Sequence, residues 1–284
     1  MWSMLSKRWL INGLLALVIG VSLLLGYRDQ SGSEARNPIT SLKPADVMSV
    51  TIQLGDEHIV LRRSADQWLI ESPVQWPARS ITIERILGIT VSESEASIAA
   101  TGIDLSALGL QDPKVTLSLN DTRIFFGTTN NIDNRRYLMI GTTIYLLADI
   151  HQPFLTQGIV GLIDKRLLPP SIPLQSFQLD GGPKLIRDGT TSWQSDAPTD
   201  IPADRLDQLI DYWQTLEAPA VKIFKQSGSP LEKIVAGLDD GSEIEFLLMS
   251  IYPELVIARP DLGVEYHFHE RQQQELLSFT KPKS

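Results

Sequence analysis

The feature that most constrains the fold of this chain is an internal repeat. When residues 52–78 are set against residues 177–203 without gaps, seven of 27 positions are identical, whereas unrelated segments of average composition would share roughly one or two. The identical pairs are Gln53/Gln178, Leu54/Leu179, Arg62/Arg187, Trp68/Trp193, Pro73/Pro198, Pro77/Pro202 and Ala78/Ala203. Self-similarity at a fixed spacing indicates repeated structural units, so we expect one fold used twice.

Each copy has the pattern of an α+β unit with antiparallel strands. Short apolar runs are joined by turn residues such as Asn120-Asp121-Thr122 and Asp239-Asp240-Gly241, and Asp-Gly is a strong hairpin signal. A strand with a tryptophan is followed by Pro-Ala, which is typical of a helix start. In the second copy the helical spacing is clear, with apolar residues at Leu206, Leu209, Ile210, Trp213 and Leu216.

The repeat also predicts the domain boundaries. Pro169-Pro170 marks the joint, because consecutive prolines end regular structure. We therefore expect a first α+β unit over residues 38–169 and a second, with a short tail, over residues 170–284. Residues 28–37 are polar and are interpreted as a tether, and residues 1–27 as a cytoplasmic start and membrane anchor.

The anchor is predicted from an uncharged apolar run of 17 residues, from Leu10 to Gly26, near the lower length limit for a transmembrane helix. Lys7 and Arg8 precede it, so the positive-inside rule places the N-terminus in the cytoplasm and the bulk of the chain in the periplasm. The alternative is a cleaved signal peptide. The run ends in Leu-Leu-Leu-Gly-Tyr rather than in a small-x-small cleavage site, which favours the anchor.

Composition excludes several classes of function. The formal net charge is −9, which argues against a duplex nucleic-acid binder. The chain has no cysteine, so thiolate zinc sites, iron–sulfur clusters and cysteine nucleophiles are ruled out. The sequence has no Walker loop, dinucleotide glycine fingerprint, Gly-x-Ser-x-Gly elbow or His-Glu-x-x-His. We therefore predict no catalytic residue and no cofactor.

One pattern still suggests metal chemistry. Glu265, His267 and His269 alternate along residues 264–270, so in a strand all three would share one face. Two histidines and a carboxylate are sufficient ligands for zinc. The competing interpretation is a solvated strand face. The other two histidines, His58 and His151, show no ligand spacing with this pair.

Aromatic and charged residues repeated between the copies have a structural interpretation. Trp68 and Trp193 follow the same pattern in both copies, so we expect core packing rather than glycan or lipid platforms. Trp76 has no aromatic counterpart, and we expect it to be less constrained and able to make a surface contact. Arg62 and Arg187 are expected to pair with the carboxylates that follow them in the Trp strands, Glu71 and Asp196.

Several motifs of the first unit resemble a family of bacterial membrane-anchored proteins, domain-of-unknown-function family 4340. They are Trp68 with Pro73, Pro77 and Ala78, Leu108-Gly109-Leu110-Gln111-Asp112-Pro113, Phe126-Gly127, Tyr137, Ile144-Tyr145-Leu146, and Leu162-Ile163-Asp164-Lys165-Arg166-Leu167-Leu168. The resemblance implies an envelope protein that accompanies an ABC-type export system of the gliding-motility sort. It implies no catalytic residues.

These features lead to three functional hypotheses. The first is a non-enzymatic single-pass protein of the bacterial inner membrane, an accessory or scaffold subunit docking on a membrane transport or periplasmic complex. Its partners would be membrane lipid, along Leu10 to Gly26, and a membrane or periplasmic protein, with an ABC-type transporter as one candidate. The second is a periplasmic module binding a lipid, glycan or peptide between the units. The third is a metal-dependent enzyme using His267 and His269.

Overall fold

The computed structural model describes residues 38–94, 96–130, 134–179, 182–189, 192–198, 202–226 and 228–277. The expected anchor and tether, residues 1–37, lie outside this part of the chain. Within the described ranges, no helix is both long and apolar enough to cross a bilayer. The transmembrane segment from Leu10 to Gly26 therefore stays a prediction.

The described strands form two antiparallel sheets. The first contains β1 (Ser49–Leu54), β2 (Glu57–Ser64), β3 (Gln67–Ser72), β4 (Trp76–Pro77), β5 (Ala96–Ala99), β6 (Val115–Leu119), β7 (Thr122–Thr129), β8 (Arg135–Ile140) and β9 (Thr143–Ala148). The second contains β10 (Leu174–Leu179), β11 (Lys184–Asp188), β12 (Ser192–Ser195), β13 (Ala220–Ile223), β14 (Glu232–Leu238), β15 (Glu243–Ser250), β16 (Leu255–Arg259) and β17 (Val264–Phe268). The predicted fold class, α+β with antiparallel sheets, is confirmed.

The two sheets have the same strand order. The first runs β4-β3-β2-β1-β6-β7-β8-β9-β5 and the second β12-β11-β10-β14-β15-β16-β17-β13. Strands β1 to β3 correspond to β10 to β12, β6 to β9 correspond to β14 to β17, and β5 corresponds to β13. Only β4, a two-residue strand, has no counterpart among the described strands. This shared order is the arrangement that the aligned repeats predict.

Five short α-helices accompany the sheets in the described part: α1 (Ser80–Leu87), α2 (Gln152–Leu155), α3 (Ile159–Leu162), α4 (Ala203–Thr215) and α5 (Glu270–Leu276). Of the predicted apolar positions of α4, Leu206, Leu209, Ile210 and Trp213 are buried, and Leu216, just after the helix, is half-buried. The ring of Trp213 lies 4.7 Å from that of Phe177 and 5.4 Å from that of Phe246. Helix α4 therefore covers one face of the second sheet. In the first unit α1 ends at Leu87, where a 3-10 helix (Gly88–Val91) begins.

The core follows from strand alternation. In β1 and β6, Val50, Ile52, Leu117 and Leu119 are fully buried, while the residues between them face outward, as expected for an antiparallel sheet with one covered face. Burying each such side chain contributes roughly 1.5–3 kcal/mol. A single cluster of contacting buried side chains includes residues of both sheets, so the hydrophobic core is continuous across the joint between them.

Candidate functional site

The predicted metal-ligand face is only partly assembled. Glu265 and His267 lie on β17, and the two ring nitrogens of His267 face carboxylates on opposite sides. Its Nδ1 lies 2.7 Å from Oε2 of Glu254, and its Nε2 lies 3.0 Å from Oε1 of Glu265. The hydrogen bond with His267 lowers the pKa of the exposed Glu254 carboxyl. Because both nitrogens are engaged by carboxylates, neither has a lone pair directed at an open metal position.

His269 does not join this face. Strand β17 ends at Phe268, and His269 is the N-cap of α5, where its backbone N–H donates to the side-chain oxygen of Gln272. The expectation of three alternating ligands on one strand is therefore wrong. Within the ranges that the structure describes, no group of three or more His, Asp or Glu side chains is arranged to hold a metal ion.

The tryptophans are structural. Trp68 and Trp193 are buried, 7% and 8% exposed, in agreement with the core-packing interpretation. The expectation for Trp76 is wrong, because it is also only 7% exposed. Its strand β4 pairs with β3, and its ring faces the guanidinium of Arg259, whose Cζ lies 4.4 Å from the ring centroid.

The two predicted arginine pairs have different outcomes. In the first unit Nε of Arg62 donates to Oε1 of Glu71 at 2.8 Å, and this contact raises the pKa of the exposed guanidinium. In the second unit a carboxylate oxygen of Asp196 accepts a hydrogen bond from the backbone N–H of Lys184 at 2.8 Å. The pair of Arg187 with Asp196 stays a prediction.

The segment between the two sheets contacts both of them through its backbone. Towards the first unit, Ile163 forms a β-bridge with Ala78, and the N–H of Asp164 donates to the carbonyl of Pro77 at 2.9 Å. Towards the second, the carbonyl of Lys165 accepts from the N–H of Ala218, also at 2.9 Å. We call residues 163–168 the joint segment. Its backbone hydrogen bonds tie the two sheets together.

Side chains reinforce the joint segment. The carboxylate of Asp164 accepts hydrogen bonds from the backbone N–H, Nε and Nη2 of Arg166 at 2.9, 3.0 and 2.6 Å. This hydrogen bonding raises the pKa of Arg166. The ammonium of Lys165 donates to the carbonyl of Pro219 at 3.0 Å, while burial lowers its pKa. The charged side chains of the joint segment therefore form hydrogen bonds with other groups of the protein itself.

Arg259, at the end of β16, is the most unusual buried group at the joint. The residue is 1% exposed, and its Nη1 donates to the buried carbonyl of Leu167 at 3.0 Å. Its Nε and Nη2 donate to Asp261 at 2.9 and 2.7 Å. The guanidinium lies between two aromatic rings, 4.4 Å from the centroid of Trp76 and 5.1 Å from that of Phe246. A cation of the second sheet is thus held against a ring of the first.

Two buried polar groups at this joint lack a hydrogen-bond partner in the described structure: Nε1 of Trp76 and the hydroxyl of Tyr266. Burial is the main cause that raises the pKa of Tyr266, opposed by the nearby charge of Arg259. Tyr266 therefore stays a neutral phenol at physiological pH. A buried polar group without a hydrogen-bond partner usually lowers the stability of the fold. At the joint, the indole N–H of Trp76 and the hydroxyl of Tyr266 are two such groups among the described residues.

A second set of motif residues, 108–110, packs closely against the end of β7, and we call these three residues the strap. The N–H of Thr128 donates to the carbonyl of Leu108 at 2.8 Å. A Cβ on Gly127 would lie 2.3 Å from that carbonyl oxygen, and Gly109 has φ +65° with Thr128 only 2.9 Å from where its Cβ would stand. The strap can approach β7 this closely only because both positions are glycine.

These features define a class: an α+β protein of two like-ordered antiparallel sheets joined by a polar, filled joint. A family model described as "Domain of unknown function (DUF4340)" matches residues 68–194. This match supports the resemblance to that family seen in the motifs of the first unit. The matched segment contains the strap and the joint segment, and it begins at Trp68 in β3 and ends just after Trp193 in β12. No curated protein and no solved structure is significantly similar to the chain.

Sequence reasoning did not identify Arg259 or Asp164. The signals in the sequence were indirect. Asp164 lies within the family motif, and Arg259 is followed by Pro260 and Asp261, a turn that can bring the Asp261 carboxylate back to the arginine two residues earlier. Neither signal indicates burial, since arginine is almost never fully buried unless it is paired.

Proposed function

We propose that this protein is a non-enzymatic, single-pass envelope protein of a bacterial inner membrane. In this proposal it is an accessory or scaffold subunit that docks on a membrane transport or periplasmic complex, for which an ABC-type transporter is one candidate. The observation that carries the proposal is a set of three exposed apolar side chains next to the ends of β14 and β15. We call Leu231, Ile251 and Tyr252 the end patch; they are 53%, 46% and 87% exposed.

The end patch lies at one end of the β14–β15 hairpin. The N–H of Leu231 donates to the carbonyl of Leu248 at 2.7 Å, which places Leu231 beside the last residues of β15. The hydroxyl of Ser250 donates to the carbonyl of Tyr252 at 2.9 Å, so the turn that carries Ile251 and Tyr252 is held in place. Grouped exposed apolar side chains on a folded surface are typical of protein interaction sites.

The joint supports a scaffold role. The backbone bonds of the joint segment and the buried Arg259 restrain the two sheets relative to each other, and a preorganised surface binds its partner with less loss of entropy. The same contacts weigh against a ligand cleft between the units, because the rings of Trp76 and Phe246 and the guanidinium of Arg259 occupy that position.

The metal-dependent alternative has less support. It needs a ring nitrogen of His267 free to bind metal, and both nitrogens contact carboxylates. Placement in the membrane rests on the sequence alone, on the uncharged run from Leu10 to Gly26 and the basic residues before it.

The test is affinity isolation of the tagged full chain from gently solubilised bacterial membranes. Three forms are compared: the native chain, the double variant Leu231→Ser/Tyr252→Ser, and the control Val91→Ser, which alters an equally exposed apolar residue (62%) of the first unit. We expect a membrane protein to co-purify with the native chain and with the control at the same ratio of partner to tagged chain. The double variant should purify without that partner. A native chain that elutes alone, or a double variant that keeps the partner, would contradict the proposal.

A further inference from the structure

The outer face of the first sheet carries a shallow groove of about 320 Å³. Strand register arranges its lining side chains in two rows across the strands. One row is His58, Gln53, Thr116 and Phe125, in which each residue is the cross-strand partner of the next. The second row, one pleat further along, is Thr51, Ser118 and Arg123. We call these seven residues the outer groove.

Most polar side chains of the outer groove have no side-chain partner among the residues that the structure describes. Gln53 donates to the carbonyl of Gly55. The remaining polar members, three hydroxyls, the imidazole of His58 and the guanidinium of Arg123, make no side-chain hydrogen bond or ion pair with any described residue. Binding sites are concave and use placed polar groups for specificity, and the lining of this groove, one aromatic ring among polar side chains, favours a polar ligand.

The charge of the outer groove is opposite to that of the chain. The protein has 34 acidic residues against 25 basic ones, yet no lining residue of the groove is acidic and one is arginine. The groove therefore offers a cationic group and hydroxyls in a chain whose net charge is negative.

The second sheet shows that the fold does not require these residues. By the same register, the positions of Thr116 and Phe125 are taken there by Val235 and Glu245, and the position of Arg123 by Glu243. Glu245 also forms an ion pair with Lys233 at 2.5 Å. The position that is arginine in the first sheet is thus glutamate in the second.

We propose that the outer groove binds an anionic saccharide. Arg123 faces the carboxylate, since a guanidinium matches a carboxylate with two parallel hydrogen bonds. The hydroxyls of Thr51, Thr116 and Ser118 both donate and accept, which suits sugar hydroxyls. The half-buried ring of Phe125 provides an apolar surface for the face of a pyranose ring. This site lies on the first sheet and is independent of the end patch on the second.

The test is calorimetric titration of the full-length chain in detergent with trigalacturonate, with maltotriose as the neutral saccharide and citrate as a carboxylate without a sugar. We expect saturable binding of trigalacturonate and much weaker binding of the other two. Arg123→Glu, which installs the residue type of the second sheet, should weaken trigalacturonate about tenfold or more, because a charge-assisted contact is lost. Phe125→Ala should also weaken it.

The matched control is Glu243→Gln, at the equivalent position of the second sheet, which should leave the affinity unchanged. Circular dichroism of each variant establishes that the fold is retained. The proposal is overturned if trigalacturonate shows no saturable binding, if Arg123→Glu binds as tightly as the native chain, or if citrate binds as tightly as the trisaccharide.

Discussion

Replacing Arg259 with methionine tests the joint most sharply, because methionine keeps much of the apolar stem and removes the cation. The variant loses the hydrogen bond to the carbonyl of Leu167 and both bonds to Asp261. It also loses the contact of the guanidinium with the rings of Trp76 and Phe246. The contacts with Trp76 and Leu167 connect the second sheet to the first sheet and the joint segment, whereas those with Asp261 and Phe246 lie within the second unit.

The size of the effect follows from burial. Leu167 is fully buried, so its carbonyl loses its charged donor without gaining water, which costs about 1–3 kcal/mol. A desolvated cation–aromatic contact contributes about 2 kcal/mol, of which the packing of methionine recovers a part. The side chain of Asp261 is 55% exposed and regains water, so its loss counts for little. We expect the free energy of unfolding to fall by about 2–4 kcal/mol.

The assay is urea unfolding of the full chain in detergent, followed by tryptophan fluorescence and by circular dichroism. The control is Arg62→Met, which breaks the exposed pair with Glu71 and should cause no measurable loss. If Arg259→Met is as stable as the native chain, Arg259 does not hold the joint and the reasoning from its burial is refuted.

Three further predictions concern single positions of the first unit. Gly127→Ala should lower the free energy of unfolding, measured by thermal denaturation, by about 1–3 kcal/mol, because the new Cβ would clash with the Leu108 carbonyl. Gly88→Ala should be tolerated, because the nearest atom to its new Cβ lies 3.6 Å away. Burial lowers the pKa of His151 below the usual 6.5, so the unfolded chain binds the proton more readily than the folded one. The melting temperature should therefore fall as the pH drops below about 6.5, and His151→Asn should make it depend less on pH. Asn120→Ala should destabilise the fold by about 1–3 kcal/mol, because three side-chain hydrogen bonds are lost at a position with φ +49°, and Asn120→Asp should recover part of the loss by keeping the acceptor oxygen.

Local patterns of the sequence were sufficient for the regular parts of this fold. The aligned repeats and the turn chemistry around Asp239-Asp240-Gly241 predict hairpins that the structure contains as β14 and β15. The spacing of Leu206, Leu209, Ile210 and Trp213 predicts α4, and all four are buried. Both predictions depend only on residues that are close together in the sequence, and such local structure can be read from the spacing of apolar residues.

Contacts distant in sequence were not predictable in the same way. Trp76 was expected to be less constrained and able to make a surface contact, because the second copy has no aromatic counterpart. Its ring instead packs against Arg259, a residue far along the chain that no local pattern links to it. His269 was expected on a strand because alternation continues past Phe268, although the chain turns there into α5. The outer groove was invisible because it depends on the register of four strands that are not all consecutive.

The fixed relation of the two sheets is tested most directly by a distance measurement between them. The chain has no cysteine, so Asp66→Cys and Asp239→Cys, at exposed turns of the first and second sheets, can carry one spin label each in the full-length protein. Pulsed electron resonance should give a single narrow distance distribution, which broadens when Arg259→Met is added. A broad distribution in the otherwise native chain would contradict a joint that holds the sheets together.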